Sequence, residues 1–158
     1  MSYPDTLLVD GLDLQTVPGL VVMDLAGLFA PGTRRGDDDV IPGRRGQVGA
    51  ELPFDAYAFT IGVALLSDTA EPVPSRAQFI TRLRTLSAAL MGTNGLVTLT
   101  RRLANTGGAG YVEHTCAGRF VSGTGFDMLN ASNGTTELQF INLDGAWHDA
   151  ATDAWLVP

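Results

Sequence analysis

The sequence predicts a mainly β protein: an antiparallel β-sandwich or split barrel of about eight strands, with one amphipathic α-helix packed on it and one long loop. The 19 glycines and 8 prolines are spread along the chain, which favours many turns between short segments. Most segments between those turns alternate apolar and polar residues with the period of a strand, and one segment carries helical spacing instead. The length of 158 residues fits a single domain covering residues 1–158.

The first strands are expected within residues 7–17 and 20–29. Apolar and polar residues alternate from Val9 onward, and Gly11 marks a tight turn inside this first segment. The Pro18-Gly19 dipeptide is typical of the turn that separates the two segments. Residues 20–29 begin with β-branched side chains, which favour a second strand.

Residues 30–46 break every periodicity and predict the long loop. The segment holds two Pro-Gly pairs, two Arg-Arg pairs and three consecutive aspartates. Unpatterned stretches of this length inside a compact domain are usually functional or disordered. The loop is therefore the first place to look for an interaction site.

A long strand is expected over residues 54–66. Its large residues fall on one parity and its small residues on the other, which predicts a strand that packs on one face and is approached closely on the other. The large residues are Tyr57, Phe59, Ile61 and Val63.

The helix is expected over residues 75–91. Ser75 is a good N-cap, Gln78 completes a capping box three residues later, and Gly92 suits the residue just past the helix end. Five apolar residues recur at helical spacing and predict the buried stripe. They are Phe79, Ile80, Leu83, Leu86 and Leu90.

The remaining chain predicts further strands and a closing tail. The strand-like segments are residues 96–103, 111–121, 125–129 and 135–143, with Gly-rich or Asn-rich turns between them. The tail that follows carries Trp147 and Trp155, and we expect it to pack back on the body.

Charge and composition exclude several classes of function. Ten arginines stand against seventeen acidic residues, there is no lysine, and the formal net charge is −7. This balance argues against a protein that grips nucleic acid, which needs a basic face. The lack of lysine excludes a phosphate-loop lysine and Schiff-base chemistry. No apolar run approaches the roughly 20 residues of a membrane-spanning helix, so no membrane partner is expected.

The candidate catalytic and metal-binding groups do not form a recognisable site. One cysteine and two histidines are too few for a zinc cage. The three aspartates of the loop lack the alternating ligands and closing glutamate of a calcium loop. His114 and Cys116 fall on one face of a strand, without an identifiable oxyanion loop. We therefore expect no catalytic residue, no metal and no cofactor, and a protein that is not an enzyme.

The order of features resembles the N-terminal domain of the distal tail proteins of long-tailed bacteriophages, which are called minor tail proteins in actinobacterial phages. The residues that carry the resemblance are a Val-Asp-Gly hairpin at 9–11, the stretch Ile-Pro-Gly-Arg-Arg-Gly at 41–46, Arg82-Leu83-Arg84 in the helix and the closing strand at 138–143. The resemblance implies a fold related to the tail tube. Many members carry a second, carbohydrate-binding-like domain, for which this chain is too short.

The resemblance also implies a structural function. Distal tail proteins form a homohexameric ring that connects the tail tube to the tip or baseplate hub, and DNA passes through its lumen without specific binding. The expected partners are then other copies of the chain, the tail tube protein and the tip or hub proteins. The expected location is the virion tail, assembled in the host cytoplasm.

Within that function the long loop has the composition of an arm that reaches a neighbouring subunit, since arginine pairs and aspartate runs can set the register between identical copies. The expected inter-subunit residues are Arg34, Arg35, Asp37, Asp38, Asp39, Val40, Ile41, Arg44 and Arg45. An acidic body would also discourage DNA from sticking to the channel.

Two alternatives stay open at this point. The chain is compatible with a major tail tube protein or a tail terminator protein of the same fold group. It is also compatible with a small ligand-binding or hydrolytic β-sandwich that uses Cys116, His114 and His148 as its reactive groups.

Overall fold

The computed structural model describes residues 5–29, 33–34, 54–66, 76–92, 94–104, 110–123, 127–128 and 133–156. These residues form twelve strands, one α-helix and two short 3₁₀ turns. The strands are β1 (Thr6–Val9), β2 (Leu12–Asp13), β3 (Leu20–Asp24), β4 (Thr33–Arg34), β5 (Phe54–Asp55), β6 (Tyr57–Leu65), β7 (Val97–Ala104), β8 (Tyr111–Gly123), β9 (Asp127–Met128), β10 (Gly134–Asn142), β11 (Trp147–Asp149) and β12 (Trp155–Leu156). Helix α1 (Arg76–Met91) lies between β6 and β7, and the 3₁₀ turns are Leu14–Thr16 and Ala26–Phe29.

Ten of these strands form one antiparallel sheet that curls on itself. Its main path runs β2-β1-β7-β8-β10-β6-β3, and β9, β11 and β12 pair at its margins. A flat sheet would place β2 and β3 about 29 Å apart at the usual strand spacing. Only the connection 14–19 joins them, and its 3₁₀ turn contacts both β1 and β3. The sheet therefore curves into a half-barrel, which confirms the predicted mainly β, antiparallel fold with one helix.

The core fills the concave side of this half-barrel. β6 and β10 pair along nine residues, from Leu65 opposite Gly134 to Tyr57 opposite Asn142. Alternate residues of both strands point inward, because side chains change face at every position of a strand. The parity predicted for β6 is confirmed, since Phe59, Ile61 and Val63 are all buried.

The small residues on the other parity of β6 permit the close approach that was predicted. β3 ends at Asp24, whose carboxylate accepts the amide of Ala26 at 2.8 Å and starts the second 3₁₀ turn. Gly27 of that turn lies against Thr60, and a Cβ at Gly27 would overlap the Thr60 carbonyl. The prediction of one continuous strand over residues 20–29 was wrong, because this capped turn takes the place of β3 beside β6.

Helix α1 has the predicted bounds and its predicted end. Gly92 adopts a positive φ of 55° just after the last helical residue, the conformation that glycine tolerates best. Phe79, Leu86 and Leu90 are buried in the core. Ile80 is 40% exposed, so its assignment to the buried stripe was wrong: it follows Phe79 by one position and is rotated about 100° away from it. The predicted N-cap, Ser75, lies outside the described residues.

The predicted loop over residues 30–46 contains a short strand that sequence reasoning missed. β4 pairs with β5 in a separate two-stranded sheet, with Thr33 opposite Asp55 and Arg34 opposite Phe54. A two-residue strand is too short to show a periodicity, which is why the pattern of residues 30–46 gave no sign of it. The same ladder divides the predicted strand 54–66 into β5 and β6.

Candidate functional site

The predicted inter-subunit residues fall almost entirely outside the described part of the chain. Arg34 lies in β4. Outside the described residues lie Arg35, Asp37, Asp38, Asp39, Val40, Ile41, Arg44 and Arg45. The β4–β5 ladder holds the two ends of the segment 35–53 side by side. The described residues on the two sides of the segment are therefore hydrogen-bond partners of each other.

The described residues that bring polar chemistry together lie at one end of the concave side, around Arg101 of β7. The Arg101 Nε donates to Nδ1 of His114 on the neighbouring strand β8 at 2.9 Å. Its Nη1 donates to the Leu28 carbonyl in the second 3₁₀ turn, also at 2.9 Å. Its guanidinium lies 4.8 Å from the centre of the Trp147 ring. Arg101 thus links strands β7 and β8 to the 3₁₀ turn Ala26–Phe29, which lies beside β6. We call Arg101, His114, Trp147, Tyr57 and Asn142 the Arg101 cluster.

The other members of the Arg101 cluster continue this network. The indole Nε1 of Trp147 donates to the Tyr57 hydroxyl at 2.9 Å. The Asn142 side chain donates to the Ala146 carbonyl at 3.2 Å and accepts the amide of Gly145 at 3.0 Å. Asn142 is fully buried, and these bonds satisfy it in the turn between β10 and β11. The cluster therefore joins β6, β7, β8 and the turn between β10 and β11.

The electrostatics of the cluster favour a neutral histidine beside a charged arginine. Burial lowers the pKa of Arg101, and its interactions with Tyr57 and Cys116 oppose this effect. Burial, followed by the charge of Arg101, lowers the pKa of His114, while Asp149 acts in the opposite direction. Because Nδ1 of His114 accepts from Arg101, the ring carries its proton on Nε2. Arg101 therefore links His114 of β8 to the Leu28 carbonyl by hydrogen bonds across the half-barrel. We call this pair of hydrogen bonds the brace.

The remaining reactive candidates of the sequence are not gathered into one site. His114 and Cys116 share the inward face of β8, as predicted. His148 pairs with Thr115, so it is out of phase with His114 and Cys116 and belongs to the other face of the sheet. Cys116 is 3% exposed, and burial raises the pKa of its thiol. Within the described ranges, no three His, Cys, Asp or Glu side chains come together to hold a metal ion.

The buried thiol gives a first testable prediction. Cys116 of the folded protein will resist a thiol reagent at neutral pH and react only as fast as the protein unfolds, because the thiolate is the reactive form. Reaction with a chromogenic disulfide, followed with and without denaturant, measures this. Rapid reaction of the native protein would contradict the buried position and favour a reactive cysteine.

His114 gives a prediction about pH. The pKa of His114 is lowered in the folded protein. Below the ordinary histidine pKa of about 6.5, the unfolded chain therefore binds more protons than the folded chain. The free energy of unfolding will therefore fall as the pH drops below that value, down to the lowered pKa of the folded state. Urea denaturation between pH 8 and pH 5 measures the slope.

Substitution of the two histidines assigns this slope. His114→Gln keeps an acceptor for Arg101 and should flatten the pH dependence, whereas His148→Gln on the other face of the sheet serves as the matched control. An unchanged slope in His114→Gln would contradict the assignment.

Sequence reasoning missed the brace, although one sign of it was present. Val97 and Leu99 are buried and share a parity with Arg101, so the alternation of β7 places an arginine at an inward position. An inward arginine needs partners inside the fold. His114 lies directly opposite Arg101 in the β7–β8 register, which the sequence alone does not reveal.

Comparison with solved structures shows a likeness in fold. No family model matches the chain, and no curated protein matches it. The fold is similar to the crystal structure of the SPP1 Dit (gp 19.1) protein, described as a paradigm of the hub adsorption apparatus in phages that infect Gram-positive bacteria, with a TM-score of 0.58 and 18% identity. The match covers 93% of this chain and 53% of that one, so the chain spans about half the length of that protein. At this identity the likeness shows that the chain shares the fold of that phage hub protein.

The described residues contain no helix with the length and apolar character needed to cross a membrane.

Proposed function

We propose that this protein is a structural subunit of a phage tail, a distal tail protein that forms a ring between the tail tube and the tip or baseplate hub. The observation that carries the proposal is the likeness in fold to SPP1 Dit over 93% of the chain. In this role the subunit acts as a homohexamer around the DNA channel and belongs to the virion.

The interior of the half-barrel supports a structural role in preference to an enzymatic one. The Arg101 side chain donates to the Leu28 carbonyl and to the ring of His114. The side chains of Arg101 and His114 are therefore both used in hydrogen bonds that stabilise the fold. Cys116 is buried with a raised thiol pKa, which disfavours its use as a nucleophile. We therefore infer that the chain is not an enzyme.

Charge supports the proposed passage of DNA and the proposed arm. Residues 103–158 hold six acidic residues and one arginine, a net charge of −5 that repels phosphates from the body. Four of the ten arginines lie between residues 34 and 45. We propose that this segment, anchored by the β4–β5 ladder, contacts a neighbouring subunit.

Assembly of the purified full chain tests the proposal. Native mass spectrometry and negative-stain microscopy at rising protein concentration should show closed single rings of six copies. Long stacked tubes would favour a tail tube protein over a distal ring protein. A chain that stays monomeric at every concentration and with isolated tails present would overturn the proposal.

A short deletion tests the arm. Removing residues 36–39 takes away the three aspartates and leaves both strands of the β4–β5 ladder in the chain. We expect loss of the ring, while the monomer keeps its fold by circular dichroism. Replacing the same four residues by Gly and Ser keeps the length of the segment. This variant separates the effect of the charge of the segment from the effect of its length. A normal yield of rings from the deletion would contradict the arm.

A further inference from the structure

Helix α1 exposes a face that carries almost no charge. Eight of its residues are exposed and lie on the side away from the core, and they form what we call the outer face of α1. Among the side chains of α1 that the structure describes, Arg84 is the one charged residue of this face. The members are Ala77, Ile80, Thr81, Arg84, Thr85, Ser87, Ala88 and Met91.

Two polar groups of this face bond to the backbone of the helix itself. The Thr81 hydroxyl donates to the Ala77 carbonyl at 3.0 Å, and the Thr85 hydroxyl donates to the Thr81 carbonyl at 3.1 Å. Two large apolar side chains stand out to solvent, with Ile80 40% and Met91 58% exposed. The small residues Ala77 and Ala88 allow another backbone to come close.

A solvent face of this composition is unusual for a surface helix. Surface helices place charged and polar residues on the side opposite the core. The whole of α1 contains three arginines and no acidic residue, and Arg82 is used inward, donating to the Leu66 carbonyl. The exposed Ile80 and Met91, together with one arginine and no acidic residue, match the enrichment of Met and Arg and the depletion of acidic residues at interfaces.

Another copy of the chain offers a surface of complementary charge. A hollow of about 400 Å³ lies between the start of β8 and the turn after β11. Tyr111 and Val112, 39% and 40% exposed, give it an apolar floor. Its lining residues are Tyr111, Val112, Glu113, Asp149, Ala150 and Ala151.

The acidic groups of the hollow are held in place by local bonds. Glu113 pairs with Nε of Arg102 at 2.8 Å, and the Arg102 guanidinium lies 5.0 Å from the centre of the Tyr111 ring. The Asp149 carboxylate accepts the amides of Ala151 and Thr152 at 2.8 Å and 3.1 Å. These amides lower the pKa of Asp149, so it stays charged. Residues 103–158, about a third of the chain, carry a net charge of −5, and Arg102 adds one positive charge beside Glu113.

We propose that the outer face of α1 in one copy docks on the hollow of the next copy, with Arg84 directed to the acidic rim. The inference rests on the ring proposed above and names the contact that would build it. Gly92 at the end of α1 lies against Val97, which pairs with Gly118. Tyr111 is seven residues further along β8, about 23 Å away. The two surfaces are therefore separate, and a contact between them repeats from head to tail. Such a contact builds a ring when the rotation between successive copies closes.

Charge reversal on the outer face tests the contact. Arg84→Glu should raise the dissociation constant of the oligomer at least tenfold, measured by light scattering of the full chain. Ala77→Glu is a second variant, because a glutamate in the first turn of a helix does not destabilise it. Ala58→Glu, at an exposed position of β6, is the matched control and should assemble like the wild type.

Cross-linking tests which surfaces meet. A variant with Ala88→Cys and Ala151→Cys should give a ladder of covalent oligomers with a short bis-maleimide, while Cys116 stays buried. Each single cysteine variant should assemble but give no covalent oligomer under the same conditions. A covalent dimer from Ala88→Cys alone would show a two-fold contact between helices and would overturn the head-to-tail contact.

The outcomes separate this inference from the function on which it rests. Rings that form normally from both Arg84→Glu and Ala77→Glu would overturn the contact and leave the proposed ring intact. A wild-type chain that never assembles would overturn the ring, and with it the contact.

Discussion

Replacing Phe140 by alanine will lower the free energy of unfolding by about 3–5 kcal/mol, the usual cost of removing a fully buried phenylalanine. Phe140 has no exposed surface. Its ring stacks on Phe59 at a centroid distance of 5.7 Å and meets Phe120 at 5.5 Å. The substitution leaves a cavity in the middle of β10, between the β6 and β8 sides of the sheet. Urea denaturation followed by circular dichroism measures the loss.

A second phenylalanine provides the control for this experiment. Phe29 is 49% exposed, so Phe29→Ala removes the same atoms with little loss of packing and should cost less than about 1 kcal/mol. Equal losses in the two variants would contradict the position of Phe140 at the centre of the core. For a protein of this size each 1 kcal/mol corresponds to about 2–4 °C in melting temperature, so both methods should agree.

Replacing Arg101 by alanine is expected to cost about 2–4 kcal/mol, because it leaves two partners without their donor. The His114 Nδ1 and the Leu28 carbonyl both lose a hydrogen bond, and the Trp147 ring loses the cation above it. The second 3₁₀ turn should loosen first, since Arg101 is its link to β7. Denaturation gives the total cost, and amide hydrogen exchange of the turn gives its location.

The neighbouring arginine separates the brace from the general effect of losing a charge. Arg102 belongs to the same strand, but it pairs with Glu113, whose side chain is 40% exposed. Exposed ion pairs contribute about 0–1 kcal/mol, so Arg102→Ala should be mild. Arg101→Lys keeps the charge without the planar fork and should fall between the two. If Arg101→Ala costs no more than Arg102→Ala, the brace does not stabilise the fold.

Much of the fold could be predicted because its elements are long or clearly punctuated. The parity of β6 and the bounds of α1 follow from periodicities of two and 3.6 residues that extend over several turns. The Gly92 end of the helix follows from glycine chemistry. The strand β4 and the 3₁₀ turn at Ala26–Phe29 could not be predicted, since two to four residues carry no period and depend on what lies beside them.

The candidate site was less predictable for a different reason. Arg101 and His114 are 13 residues apart and meet only because β7 and β8 pair in one register. The register of two strands depends on the hydrophobic patterns of both strands together. The pattern of one strand taken alone does not say which residue of the other strand lies opposite. The composition of residues 30–46 predicted a contact between subunits, and that remains a prediction. The sequence of α1 contains no acidic residue, which was a sign of its outer face. That face was not predicted, because Ile80 was assigned to the buried stripe of the helix.

The curl of the sheet has a consequence for aggregation. Open β-sheets present edge strands to which further chains can add without limit. Here one end of the path is β2, with two residues, and the other is β3, whose pairing shifts register between Val22 and Asp24. Short and irregular edges are poor templates for strand addition, and the turn at Leu14–Thr16 contacts strands at both ends of the sheet. In the ring proposed above, contacts between side-chain surfaces would set the number of copies, because these sheet edges offer few free backbone groups to which a further strand could add.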